Sequence, residues 1–512
     1  MKKIFFDENG PKPQKFGKSF TTVLIYPNTY YIGMSSIGFQ HIYSQINRHP
    51  DFYADRAFLS EKSPIRSYET GLPLKNFNIL FFSISYELDY LNFVRILMES
   101  GIPLKADKRS SNCPVVIVGG ACTFFNPEPI AEFTDVFIIG EGEETLQKLL
   151  DTYAQNTSDD RNNILQSFKN IDGVYLPSFY SFTYDKPSSF PVKIKRQHIN
   201  NLALFPAHSH YIASNTEFKN MLLFEISRGC AMQCKFCMVK SVYGPIRHQD
   251  KKIVTGIART YRVYTDKIGL VAPTVTNYPQ LKELCGELMD MQYKISFSSL
   301  RLEHLDASII EILIKSGQKT ITLAPEAGSE KLRRMIGKNI SSEKILQTVE
   351  MAVKCGSLSI KLYFMIGLPE ETWEDIENMV NFIDDIKKIY ISTSAKKGKI
   401  GKLIISVNPF IPKPFTEFQT CGFEDINSLN KKYKYLKKTI RPFSNVELNL
   451  ESLNLSYWNA LLARGDRRMG ELLIRCANGE SLSKAMIDAK FDDEFVYRKR
   501  EKGEVLPWEI ID

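Results

Sequence analysis

The sequence predicts an α/β protein in three parts: a doubly wound, Rossmann-like N-terminal domain, a partial (β/α)6 barrel of parallel strands, and a helical C-terminal extension. Three observations predict this. Short uninterrupted apolar runs alternate with helical segments through the first 155 residues. The same alternation returns between 218 and 420, after a stretch rich in Pro, Ser and aromatic residues. Beyond 420 the chain is polar and helical in pattern. At 512 residues the chain also exceeds one ordinary hydrophobic core, so two or three domains are expected.

In the first part, 1–155, the runs VLIY (23–26), ILFFSIS (79–85), VVIVG (115–119) and VFIIG (136–140) are apolar without alternation, as strands buried on both faces of a parallel sheet must be. The segments LDYLNFVRILMESG (88–101), closed by Gly101, and EETLQKLLDTYA (143–154) supply helices between them. Residues 156–217, including YLPSFYSFTYDKPSSFPVKI, have no helical period and read as a linker with one or two small hairpins. From 218 to 420, six strand candidates follow: 222–226, 268–272, 294–298, 320–324, 359–366 and 403–408. Amphipathic segments such as 278–292 and 307–317 separate them, and six βα units in a row make an open parallel barrel. The last part, 421–512, reads as an appended helical domain.

Apolar residues make up 43% and charged residues 24%, the balance of a globular protein. The net charge of +8, from 66 basic and 58 acidic residues, is mild for this length. A nucleic-acid partner requires that charge to be gathered on one face. The start, MKKIFFDENGPKP, lacks the apolar core of a signal peptide, and no run of 18 apolar residues suggests a membrane partner. Nine cysteines, an odd number in a chain read as unsecreted, point to a reducing compartment, the cytoplasm.

Three of those cysteines lie within eight positions, in SRGCAMQCKFCMV (227–239). The spacing is Cys230-x3-Cys234-x2-Cys237, directly after the first barrel strand, where βα proteins place their chemistry. Thiolates are the usual ligands of iron–sulfur clusters, and three of them hold three corners of a 4Fe-4S cluster and leave the fourth iron open. The competing reading is structural zinc with His248 as fourth ligand, but the x3/x2 triplet lacks the paired CxxC halves of such sites. Phe236 is placed to shield a cluster from water.

CxxxCxxC with an aromatic before the last cysteine resembles the radical S-adenosylmethionine (SAM) superfamily. The likeness extends through ISFSSLRLEHLD (295–306), TLAPEAGSEKLRRMIGKNIS (322–341) and KLYFMIGLPEETWED (361–375), which are similar to cobalamin-dependent and methylthiotransferase-like barrels. PVVIVGGACTFFNPEPIAEFTDVFIIGEGEETL (114–146) resembles the cobalamin-binding domain that precedes many of them. The resemblance implies a 4Fe-4S cluster on Cys230, Cys234 and Cys237, with SAM on the open iron, cleaved reductively to methionine and a 5′-deoxyadenosyl radical. It implies that Glu326 contacts the SAM ribose or amino group, that Ser299 and Arg301 end the third strand with Arg301 facing the methionine carboxylate, and that Gly367 opens a loop to Pro369 that lets the backbone approach adenine. Gly119, Gly120, Gly140 and Gly142 follow two strand ends and suit close approach of a nucleotide-like ligand, or equally simple tight turns. It implies cobalamin as a further cofactor and an electron donor such as flavodoxin or ferredoxin as a partner.

Two departures stand out. The short Gly-Gly-Glu motif after the second strand is replaced by VAPTVTNYP (271–279). The Asp-x-His-x-x-Gly signature of cobalt ligation is missing from YPNTYYIGMSSIGFQHIY (26–43), where His41 falls in a helix-like stretch as a packing residue. The leading function is therefore a radical SAM enzyme, with cobalamin-dependent methyl transfer named first. The alternatives are methylthiotransferase-like modification of RNA or protein, for which the N-terminal part offers only Cys113 and Cys122, and a non-catalytic cobalamin- or redox-responsive binding protein. The basic cluster Arg464, Arg467 and Arg468 reads as a charged helix surface pairing with Asp466.

Overall fold

A computed structural model describes residues 8–10, 17–60, 64–156, 158, 160–180 and 193–512. The chain divides into two compact units. The first comprises Met1–Met221, Leu461–Asp493 and Glu501–Asp512; the second comprises Leu222–Ala460 and Glu494–Arg500.

The first unit is built on a six-stranded sheet. Its strands are β1 (Phe20–Tyr26), β2 (Phe52–Phe58), β3 (Ile79–Ser83), β4 (Val115–Gly119), β5 (Val136–Ile138) and β6 (Val174–Tyr175). Their order across the sheet is β2-β1-β3-β4-β5-β6, all parallel except the last pair. The four expected runs are all strands, buried as a doubly wound sheet requires. The sequence pattern does not show β2, because FYADRAF places Asp55 and Arg56 in its middle, and both are buried. Arg56 is neutralised by Glu8 at 2.8 Å and Glu69 at 2.6 Å, and the rings of Tyr43, Tyr68 and Tyr211 surround it at 5.1, 5.0 and 4.9 Å. Asp55 accepts hydrogen bonds from Tyr53 and Thr70. Charges so partnered are tolerated inside.

Part of the linker is also structural. Gln197 bridges Gly140, Ile194 bridges Ile511, and Ile212–Ala213 pairs with Glu8–Asn9. The rest of the expected hairpin region, 181–192, lies outside the described residues, as does most of the N-terminal stretch read for a signal peptide.

The expected helical C-terminal domain, 421–512, is not a separate body. The connection from β4 to β5 is made of 3-10 turns (Ala121–Phe124, Glu128–Phe133) rather than a crossover helix. The tail helix Met469–Ala477 supplies the missing layer, packing on the second of those turns and on the helix Asp89–Glu99. Arg464 is fully buried, Asn126 donates to the carbonyls of Ala463 and Gly465, and Arg467 pairs with Glu128 at 2.8 Å. Arg468 does pair with Asp466, at 2.7 Å.

The second unit carries seven parallel strands in two sheets. β7 (Leu222–Glu225), β8 (Lys267–Val271) and β9 (Lys294–Phe297) form one. β10 (Thr320–Glu326), β11 (Ser359–Ile366), β12 (Leu403–Pro409) and β13 (Val446–Leu450) form the other, in that order. The six expected strands are present. The seventh, VELNL, falls in the region expected to be helical, and its alternating, half-exposed pattern is that of a sheet edge. Helices including Lys251–Tyr261, Leu281–Asp290, Ser342–Cys355 and Trp373–Ala395 cover the strands. Among the described residues no helix is long and apolar enough to cross a membrane.

Candidate active site: a cysteine cavity at the carboxyl ends of the barrel strands

The chain leaves β7 through Ser227–Arg228, which pairs antiparallel with Arg247–His248. Gly229 then turns with φ 79°, and a Cβ there would lie 2.4 Å from the Pro245 carbonyl oxygen, so only glycine delivers the chain to Cys230. The turn between the other two cysteines is closed by Cys237 N–H donating to the Cys234 carbonyl at 3.1 Å. A second loop holds this one from outside: Lys235 N–H donates to the Ile336 carbonyl, and Gly337, at φ 76°, lies so close that a Cβ would sit 2.2 Å from the Gln233 carbonyl oxygen. Phe236 packs beside a small core containing Leu332, Ile336 and Phe410.

Cys230, Cys234 and Cys237 all line one cavity of about 280 Å³. Burial pushes the Cys237 thiol up to about 11 and raises Cys234, with the charges of Lys338 and Arg301 opposing the rise at Cys234. Metal ligation removes such protons. Among the described residues, no three His, Cys, Asp or Glu side chains converge on a single ion position. Thiols spread around one cavity suit a cluster, each corner of which takes its own cysteine. His248, the candidate zinc ligand, instead meets Ser227 Oγ through Nδ1 at 2.8 Å and stands edge-on to Tyr278.

Ser299, Arg301 and Glu326 line the same cavity. Glu326 ends β10 after a register shift, with φ 70°, a conformation uncommon outside glycine. Its carboxylate is 3.1 Å from Lys338 Nζ, and burial raises its proton affinity while that ammonium opposes the rise. Lys338 also donates to the Ala324 carbonyl and is the site residue that the sequence reading passes over. Its only sequence signal is the Gly-Lys step of MIGKN, in which Gly337 sets the approach. Arg301 pairs with Glu303 at 2.9 Å, and both Arg301 Nε and Glu303 Oε2 are buried without hydrogen-bond partners. The Ser299 hydroxyl donates to the Ala272 and Pro273 carbonyls at 2.9 and 3.0 Å. Thr274 Oγ1 stands 3.9 Å from Cys230 Sγ.

Gly367 is not among the cavity residues. Its φ is 78°, its N–H donates to Glu371 at 2.9 Å, and a Cβ there would meet Glu424 Oε2 at 2.8 Å, so its freedom serves packing of the β11 loop. In the first unit, a Cβ on Gly120 would meet the Ile84 backbone at 2.5 Å and one on Gly140 the Gln197 backbone at 2.4 Å. Gly142 precedes the helix Glu143–Gln155, and Gly119 has ordinary room, its nearest neighbour being Ile138 Cβ at 3.9 Å. His41 is buried beside Gln45 and Glu143 and stacks on His210.

A triplet of cysteines on a loop after the first strand of an open parallel barrel, facing an acidic strand end, defines a class. Residues 224–383 match the radical SAM superfamily, and residues 38–177 match the N-terminal region of radical SAM proteins. An uncharacterised protein of Methanocaldococcus jannaschii, MJ0966, is 33% identical over 485 residues, covering 94% of this chain and 96% of its own. This chain belongs to the radical SAM superfamily of 4Fe-4S, SAM-dependent enzymes. A ribosomal protein uS12 methylthiotransferase, RimO of Thermodesulfovibrio yellowstonii, is 22% identical over 39% of this chain and 50% of its own. Among solved structures, the cobalamin-dependent SAM radical enzyme OxsB, with aqua-cobalamin and SAM bound, shares the fold with a TM-score of 0.51 at 15% identity, over 74% of this chain and 56% of that one.

Proposed function

We propose that this chain uses the cysteine cavity to generate a carbon radical on its substrate, with methyl transfer as the outcome. The observation that carries the reading is the gathering of Cys230, Cys234 and Cys237 with Arg301 and the Glu326–Lys338 pair on one cavity. When bound, the 4Fe-4S cluster supplies the electron that splits the sulfonium C–S bond of SAM. Glu326 is suited to accept hydrogen bonds from the SAM amino group or ribose hydroxyls, because a carboxylate only accepts. Lys338 and Arg301 offer cations to a carboxylate, Arg301 as a planar fork. Phe236 and the apolar wall beside it keep water from the reacting centre.

Methyl transfer is favoured by the fold shared with an enzyme solved with aqua-cobalamin and SAM. The first unit is the part suited to a corrin, at Gly119; the loop that follows β1 holds no histidine to ligate cobalt. Methylthiolation is the second reading, favoured by the match to RimO. A second N-terminal cluster has little to stand on, since Cys113 precedes β4 and Cys122 follows it, at opposite ends of one strand.

The test is anaerobic reconstitution of the full-length protein with iron and sulfide, reduction with dithionite standing in for a flavodoxin or ferredoxin, and assay of 5′-deoxyadenosine after SAM is added. Cys230→Ala is expected to lose the cluster and the product together. A corrin spectrum retained after desalting from hydroxocobalamin supports methyl transfer. An intact cluster that yields no deoxyadenosine overturns the enzymatic reading and leaves a sensor.

A further inference from the structure

The helix Ile426–Ile440 turns Leu429, Lys432, Tyr433, Leu436 and Ile440 inward. Its opposite face carries Lys431, Lys434 and Lys438 at helical spacing, followed by Arg441, all exposed. Among the described residues none of these four cations has a carboxylate within 4.0 Å. Neighbouring lysines of the preceding helix behave differently: Lys387 and Lys388 are both held by Asp384, at 2.6 and 2.8 Å. Lys438 and Arg441 also line an open concavity with Lys437 and Pro442. Attraction to the helix C-terminus accounts for Lys437 and Lys438 but not for Lys431 and Lys434, which sit in the middle of the helix.

The edge of this basic face is aromatic. Tyr435 shares the face, and Trp373, at the start of the neighbouring helix, meets it with ring centroids 5.2 Å apart. Trp373 is 45% exposed, a large apolar surface for a tryptophan with no core to shield. Unpaired cations beside an exposed tryptophan, backed by the half-buried Tyr435, are the two components of single-stranded nucleic-acid surfaces: one tracks phosphates, the other stacks bases. Lys431 to Arg441 spans about 15 Å of helix, enough for a short run of nucleotides.

We infer that this face of the second unit binds single-stranded nucleic acid, with Lys431, Lys434, Lys438 and Arg441 on the phosphates and Trp373 stacked on a base. An acidic protein surface fits the lysines but leaves Trp373 without a role. The inference stands apart from the radical chemistry, because the face takes no part in the cysteine cavity.

The test is binding of fluorescein-labelled 12-mers, oligo(U) and oligo(dT), to the reconstituted full-length protein at several KCl concentrations. Expected is a slope of log K against log [KCl] of about −3, for about four neutralised phosphates on a single strand. The charge reversal Lys434→Glu/Lys438→Glu is expected to weaken binding at least 10-fold at low salt, and Trp373→Ala about 5- to 10-fold. These residues are exposed, so both variants should keep the wild-type unfolding curve and deoxyadenosine yield. Preference for oligo(U) over oligo(dT) assigns RNA, and the reverse assigns DNA. Three results overturn the inference: no binding of either oligomer, binding that neither variant changes, or equal binding of polyglutamate or anionic phosphatidylglycerol vesicles that survives Trp373→Ala.

Discussion

Glu326 and Lys338 carry opposite charges in a largely buried pocket, with side chains 17% and 11% exposed. Removing one partner leaves the other uncompensated in a medium that solvates it poorly, the situation in which a buried pair matters most. Lys338→Met is therefore expected to destabilise the second unit by about 2–3 kcal/mol and to weaken SAM binding about 10-fold, whereas Lys338→Arg keeps most of both. Urea unfolding and equilibrium dialysis of SAM on reconstituted protein measure the two effects. Asp89, at the start of a helix in the first unit, shows the opposite balance. Burial holds its carboxyl up at about 6, against an ordinary value of 3.8, although Asn28 and Asn92 donate hydrogen bonds to it. The folded state thus binds more protons than the unfolded chain between those values. The stability Asp89 contributes is present below pH 3.8 and is lost as pH rises through about 6. Asp89→Asn should stabilise the protein by about 3 kcal/mol at pH 7.5 and leave it nearly unchanged at pH 3.5. Denaturant curves at the two pH values test this, and an equal effect at both would show that the carboxyl is not held protonated.

At the scale of elements, the cysteine loop owes its shape to the loop behind it. Gly337 touches the Gln233 carbonyl, and Lys235 is tied to Ile336. A side chain at Gly337 meets both a positive φ and a backbone oxygen 2.2 Å away, neither of which a rotamer change relieves. Gly337→Ala is expected to reduce cluster occupancy by half or more while leaving the first unit intact. Iron and sulfide per chain measure the loss; full occupancy in the variant would mean that the two loops move independently. The helix Trp373–Ala395 shows how local chemistry suffices elsewhere. Thr372 and Asp375 form a reciprocal capping box, legible in the residues themselves.

At the scale of the whole chain, the tail segments Leu461–Asp493 and Glu501–Asp512 are components of the first unit. Glu128 is fully buried, and its carboxylate is met by Tyr175 at 2.6 Å and by Arg467 at 2.8 Å, a residue 339 positions away. Arg467→Met takes from that buried carboxylate the guanidinium that pairs with it. It is expected to destabilise the first unit by about 3 kcal/mol. Limited proteolysis should then release fragments from residues before 221 sooner than from the barrel. A variant as resistant as wild type would mean that the tail is dispensable.

Sequence alone determined the features that neighbours within one element impose. Uninterrupted apolar runs located four strands of the first sheet, because a strand covered on both faces has no polar side to show, and the recurrence of short apolar-rich runs between amphipathic segments located six of the barrel. The spacing of Cys230, Cys234 and Cys237 carried the cluster, because a single loop has to hold all three thiols. Glu326 and Arg301 were legible as strand-end residues, and both reach the cavity. Only the tertiary structure decided what depends on distant partners. Strand β2 hides Arg56 because its counter-charge is Glu8, 48 positions away. The edge strand β13 was masked by its own half-exposure, and the glycines at 120, 140 and 367 are filled by the protein's own chain. Lys338 has no pattern around it, because its role comes from a carboxylate on another element. The tail reads as an appended helical domain because a helix carries its amphipathic face in its own sequence, but the surface that receives that face is chosen by the missing crossover between β4 and β5.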